Sequence, residues 1–171
     1  ERCARCAVRQ AREDFEGMIS QDELANLTEK LKPAIENYNK NSRDGPLSFF
    51  EVYTALAFTY FKEKRIDFAV LETGLGGRLD ATNVVNPLVA AITPISYEHT
   101  QKLGNTLREI TIEKAGIITN RCQVSGVRYQ SIVISAPQEE EARRVIRDRC
   151  KEVGVKLYAV GKDVVYKKTE K

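Results

Sequence analysis

Four uninterrupted apolar residues, Phe68-Ala69-Val70-Leu71, run into the charged Glu72 and then into three closely spaced glycines, Gly74, Gly76 and Gly77. A short continuous apolar run closed by turn residues is the pattern of a strand buried on both faces. Residues 66–72 are therefore expected to form an interior strand of a parallel sheet. In open α/β sheets ligands bind outside the carboxyl ends of the strands, which is where Glu72 and the glycines would fall. The same residues also make a plain tight turn, with the glycines supplying positive φ and Glu72 merely solvated. Both readings stay open on this stretch alone. Neither familiar glycine motif is present. Gly74-Leu75-Gly76-Gly77 leads into Arg78-Leu79-Asp80 and not into a helix, as a dinucleotide fingerprint requires, and no Gly-Lys-Ser/Thr triplet of a phosphate loop occurs in the chain.

Three capping boxes mark helix starts: Ser20 with Glu23, Ser48 with Glu51, and Thr106 with Glu109. The first helix should run to about residue 39 with Leu24, Leu27, Leu31 and Ile35 on one face, and Pro33 should kink or split it. The second, over 48–64, is apolar on most sides and is expected to be largely buried, with Leu47 and Val52 as a hydrophobic staple. The third, over 106–115, should end at Gly116 as a C-cap. Pro137 opens a fourth helix over 138–152, with Glu139, Glu140 and Glu141 in its first turn and Gly154 at its end. Between the helices lie apolar runs at 88–93, closed by Pro94, at 131–135 and at 155–160. Strands alternating with helices predict an α/β fold, a mainly parallel sheet flanked by helices. The expected organisation is one α/β core over 18–162, a poorly ordered arm over 1–17 and a polar tail over 163–171.

At 171 residues, 42% hydrophobic and 30% charged, the chain has the composition of one ordinary globular domain. A net charge of +3 without a basic stripe interleaved with aromatics excludes a nucleic-acid partner. No apolar stretch approaches a membrane span, so a membrane partner is excluded and the cytoplasm is the expected location. Cys3 and Cys6 have metal-ligand spacing but no second pair, and Cys122 and Cys150 stand alone; incidental or buried thiols are expected.

Glu72, His99 (the chain's single histidine) and Lys114 stand at comparable places after successive sheet and helix elements. A carboxylate and an imidazole converging on one rim of a sheet could bind Mg²⁺, which takes few protein ligands and keeps waters or phosphate. The alternative is a surface histidine and two solvated charges. The segments LETGLGGRLDATN (71–83), ITPISYEHTQKLGNTL (92–107) and EKAGII (113–118), preceded by SFFEVYTALAF (48–58), resemble the central ligase domain of the folylpolyglutamate synthase/dihydrofolate synthase family. That family belongs to the Mur-type ATP-dependent amide ligases.

The resemblance implies a Mur-ligase-like, P-loop-NTPase-like central domain, here without its P-loop. It implies a reaction in which ATP phosphorylates a folate or dihydropteroate carboxylate and L-glutamate attacks the acyl phosphate, with Mg²⁺ as cofactor and ATP as co-substrate. By the same resemblance Glu72 and His99 match metal ligands. Lys114 matches a carbamylated, catalytic lysine that also serves the metal, and Ser48, Phe49, Phe50, Glu51, Leu79, Asp80 and Ala81 match stretches that contact the pteroate. The full-length protein is expected to be a monomer. Thr119 stands where the family has a lysine, residues 120–130 look like an insertion, and the chain is expected to be an internal piece that is inactive by itself. The alternatives are a remnant that at most binds a pterin and a Mur-type ligase of cell-wall precursor synthesis. A dehydrogenase fragment is disfavoured by the missing fingerprint spacing.

Overall fold

A computed structural model describes residues 18–120, 123–124, 127–128 and 130–165. The expectations for Cys3, Cys6, Cys122 and the arm before residue 18 lie outside the described residues. The chain divides into two compact units, Glu1–Gly74 and Leu75–Lys171, where the sequence pattern suggested a single core.

The first unit is a helical pair. Helix α1 spans Gln21–Asn41 and α2 spans Phe49–Lys64, and each is opened by the complete capping box expected for it. Ser20 Oγ accepts the Glu23 amide while the Glu23 carboxylate accepts the Ser20 amide, and Ser48 and Glu51 repeat the exchange. Each box satisfies two of the donors that a helix start leaves open. Pro33 does not split α1, which continues through it. The proline and Glu29, whose carbonyl it leaves without an amide partner, are both exposed, so water can take that carbonyl. Leu27 of α1 packs with Leu56, Tyr60 and Phe61 of α2. Helix α2 is not largely buried, however: Phe49 is 75% exposed and Tyr53 43%, because only its other face meets α1.

Residues 66–72 depart from the interior strand expected of them. They form no strand among the described residues, and Phe68 and Val70 are 65% and 60% exposed, while Leu71 packs against the helical core. An apolar run becomes an interior strand only when backbone neighbours flank it, and no described strand pairs with this one.

The second unit is the α/β layer. Strands β1 (Val89–Ile92), β4 (Ile132–Ser135) and β5 (Lys156–Ala159) form a parallel sheet in the order β1-β4-β5, in the register Val89↔Ile132 and Ile132↔Lys156. A small antiparallel pair, β2 (Gln123–Val124) with β3 (Val127–Arg128), occupies the stretch read as an insertion. Helix α3 is a single turn, Thr100–Leu103; α4 spans Leu107–Lys114 behind the Thr106–Glu109 box; α5 spans Glu140–Val153. Ala90, Ile92 and Val133 from the sheet meet Leu107 and Ile110 of α4 and the Ala142-Ile146-Cys150 stripe of α5. That four-residue spacing puts one side of α5 on the core. Gly154 ends α5 in the left-handed conformation, as expected. Gly116 is not a left-handed cap; it lies inside a 3-10 turn, Ala115–Ile117, that prolongs α4. After β5 the chain turns, with the Asp163 carboxylate accepting the Ala159 amide, and Val160 bridges Val164.

Candidate active site

In the second unit the glycine-rich turn is organised by Asp80. One carboxylate oxygen accepts the Leu75 amide at 2.9 Å, and the other accepts the Thr82 amide at 3.0 Å and the Thr82 hydroxyl at 2.6 Å, capping the 3-10 turn Ala81–Val84. Asp80 is therefore buried and engaged in building the turn, while Leu79 beside it is 80% exposed and Ala81 half-buried. A buried aspartate that spans its own turn holds the exposed leucine in a defined position.

Beyond β1, Gln138 holds the start of the next loop: its Oε1 accepts the Ile95 amide at 2.9 Å, and its Nε2 donates to the Thr93 carbonyl at 2.8 Å. At the far end of that loop Glu98 forms a 2.6 Å ion pair with Lys114, in the last turn of α4. The Lys114 ammonium holds the Glu98 carboxyl below the usual carboxylate range. His99 follows in the left-handed region, φ 48°, exposed and making no side-chain cap to α3. A non-glycine residue there is uncommon, and this backbone sets where the Cα–Cβ bond of His99 leaves the chain. The structure thus brings the His99 loop and the residue 75–84 turn together at the end of α4, the second through Arg78, whose guanidinium grips the Glu113 carboxylate.

The remaining candidates lie in the first unit. Ser48 and Glu51 are the capping box of α2, and their hydrogen bonds hold the Glu51 carboxyl low. Phe49 stacks on Tyr53 with ring centroids 4.3 Å apart, and the Phe50 ring lies against the Gly74 backbone. Glu72 is exposed.

Among the described residues no three His, Cys, Asp or Glu side chains gather as a ready-made metal cluster. The donor types nevertheless suit Mg²⁺: carboxylate oxygens and one imidazole, with most of the shell left to water or phosphate. The Glu98 carboxylate already holds a cation beside His99, the Lys114 ammonium. As an ammonium Lys114 is itself no ligand.

Sequence reasoning passed over Glu98, Arg78, Glu113 and Gln138 as partners. Nothing in spacing announces them, since Arg78 meets Glu113 across 35 positions and Gln138 meets Ile95 across 43.

No protein-family model matches the chain. The dihydrofolate synthase/folylpolyglutamate synthase of Bacillus subtilis is 42% identical over 130 residues, 75% of this chain and 28% of that protein. The folylpolyglutamate synthase of Thermotoga maritima superposes with a TM-score of 0.73 at 36% identity, covering 86% of this chain and 31% of that one. A folylpolyglutamate synthase complexed with AMPPCP and folate superposes with a TM-score of 0.71 at 29% identity, covering 81% of this chain and 32% of that one. The α/β architecture is thus the one implied by the sequence segments. This chain is related in sequence and in fold to the folylpolyglutamate synthase/dihydrofolate synthase family, and it spans about a third or less of the length of the relatives it matches, 28% for the Bacillus subtilis enzyme.

Proposed function

We propose that the chain is the part of an ATP-dependent folate ligase that presents the pteroate and the lysine end of the reaction centre, acting in the cytoplasm. The observation that carries this reading is the exposed Leu79 on a turn built by the buried Asp80, docked on the helix end that carries Lys114. It is supported by a relative of the same fold that is complexed with AMPPCP and folate. Absence of any helix long and apolar enough to cross a membrane, among the described residues, suits an enzyme of water-soluble substrates.

In this reading Leu79 and Ala81, on a backbone held by Asp80, are pteroate contacts of the second unit, and Phe49 and Phe50, on a helix start held by Ser48 and Glu51, are pteroate contacts of the first. ATP activates the substrate carboxylate as an acyl phosphate, and the amino group of L-glutamate displaces the phosphate. Mg²⁺, held by Glu72 and His99 and by Lys114 once carbamylated, would supply charge neutralisation at the phosphates. Addition of CO₂ to the deprotonated Lys114 amine, with loss of a further proton to solvent, would convert the cation into an anionic oxygen donor that the Glu98 carboxylate would repel. The 171 residues contain no Gly-Lys-Ser/Thr triplet, so they do not themselves supply the backbone cradle of a P-loop.

The test is titration of the purified chain with folic acid and with dihydropteroate, followed by fluorescence, beside an assay of ADP release with ATP, Mg²⁺ and glutamate. Pterin binding without folate-dependent ADP release is expected. Leu79→Asp should weaken binding about tenfold, because it replaces apolar contact by a solvated charge. Failure of the chain to bind either ligand refutes the reading. The binding-only alternative predicts that joining the chain to the remainder of a homologous ligase leaves it without turnover.

A further inference from the structure

Glu113 and Lys114 are consecutive residues in the last turn of α4, and each holds a different loop. The Glu113 carboxylate receives Arg78 Nε at 3.1 Å on both oxygens and Arg78 Nη2 at 3.0 Å on one. The two residues are joined through backbone as well, the Arg78 amide donating to the Glu113 carbonyl at 2.9 Å. Asn83 Nδ2 then bridges the Arg78 carbonyl at 3.2 Å and the Gly116 carbonyl at 3.3 Å. The surfaces meet at backbone contact. A Cβ on Gly116 would stand 2.4 Å from Arg78 Cα, and one on Gly77 would stand 2.9 Å from the Lys114 carbonyl oxygen.

Residues 79–81 are strung between these two anchors, Arg78 and Asn83. A lone surface ion pair does little for stability, and the Arg78 side chain is 53% exposed. A bidentate fork is different in kind, because it fixes direction as well as distance. Reinforced by two backbone-directed amide bonds, it leaves the turn little freedom to slide along α4.

We propose that Arg78 and Asn83 are positioning residues, which lock the exposed Leu79 turn in one register against Lys114. The pteroate-contacting surface and the reacting end then move as one body. The identity of the ligand rests on the folate-ligase reading; the latch itself does not.

The experiment is hydrogen exchange by mass spectrometry on the whole chain, reading peptides over 75–84 and 107–118 together with those of α1 and α2. In Arg78→Met both segments should exchange roughly three- to tenfold faster, the scale of a bidentate surface pair, with α1 and α2 unchanged. Arg78→Lys keeps the charge and loses the fork, and should fall between. The exchanged pair, Arg78→Glu with Glu113→Arg, should restore protection that either single reversal loses, which a general loss of folding could not do. Folic acid should bind Arg78→Met roughly three- to tenfold more weakly, in step with the exchange. Unchanged protection of either segment in Arg78→Met, or no rescue by the exchanged pair, overturns the latch. Folic acid failing to bind the unsubstituted chain refutes the ligase reading and leaves the exchange result to decide the latch.

Discussion

Glu23 serves as the closing half of a capping box and as an ion-pair partner at once. Its carboxylate accepts the Ser20 amide at 3.1 Å and meets Lys64 of α2 at 2.6 Å. Hydrogen bonding from Lys64, and then from Ser20, lowers its pKa from the ordinary 4.5 to about 2. Glu51 makes the same box without a lysine and is also lowered, by Ser48. A carboxyl whose folded pKa is depressed stabilises the folded state above its unfolded pKa. It loses that contribution as pH falls through the folded one. The melting temperature should therefore fall as pH drops from 4.5 toward 2, and Glu23→Gln should flatten that acid limb while lowering stability at neutral pH. Thermal unfolding followed by circular dichroism across that range is the measurement, and an acid limb of unchanged steepness in the variant would contradict the assignment.

Helix α5 shows what an element contributes once its stripe is set. Ala142, Ile146 and Cys150 are 0%, 1% and 3% exposed, against Val133 of β4 and Ile110 of α4. Truncating Ile146 to alanine opens a cavity where the sheet and both helices meet, and should cost about 2–5 kcal/mol in urea unfolding. A loss below ~1 kcal/mol would mean that this core collapses readily around the void. Elements of this kind were legible in the chain because their signals are local. All three capping boxes are written within four residues, and all three formed. Strands β1, β4 and β5 followed from apolar runs bounded by proline, glycine and polar residues. Residues 66–72 carried the same signal and made no strand, because a strand needs a neighbour and no local pattern specifies one. Pro33 misled in the other direction: its position in the helical pattern was visible, its exposed placement was not.

At the scale of the molecule, the division after Gly74 was invisible to patterning, because nothing in composition changes between Gly74 and Leu75. The candidate site was legible only as motifs. Leu79, Asp80, Ala81, His99 and Lys114 could be named, and the structure gathers their segments at the end of α4. What binds those segments together could not be read, since Arg78 finds Glu113, and Glu98 finds Lys114, only in three dimensions. Asp80 illustrates the difference most sharply. The motif marks it as a ligand contact, and the structure engages its carboxylate inside its own turn.

The exposed residues 68–70 give the molecule a surface on which a second copy could pair. Phe68 and Val70 face outward in a segment of β-forming residues, bracketed by two negative charges, Asp67 and Glu72. Charges at the ends of such a run act as gatekeepers, repelling a second copy that would otherwise zip onto it. Glu72 is thus expected to have a colloidal duty independent of any metal, and Glu72→Gln should raise light scattering on concentration while Glu72→Asp should not. Equal scattering from both would remove that duty. A weakening of pterin or Mg²⁺ binding after neutralising Glu72 is interpretable only for the fraction of protein that stays dispersed.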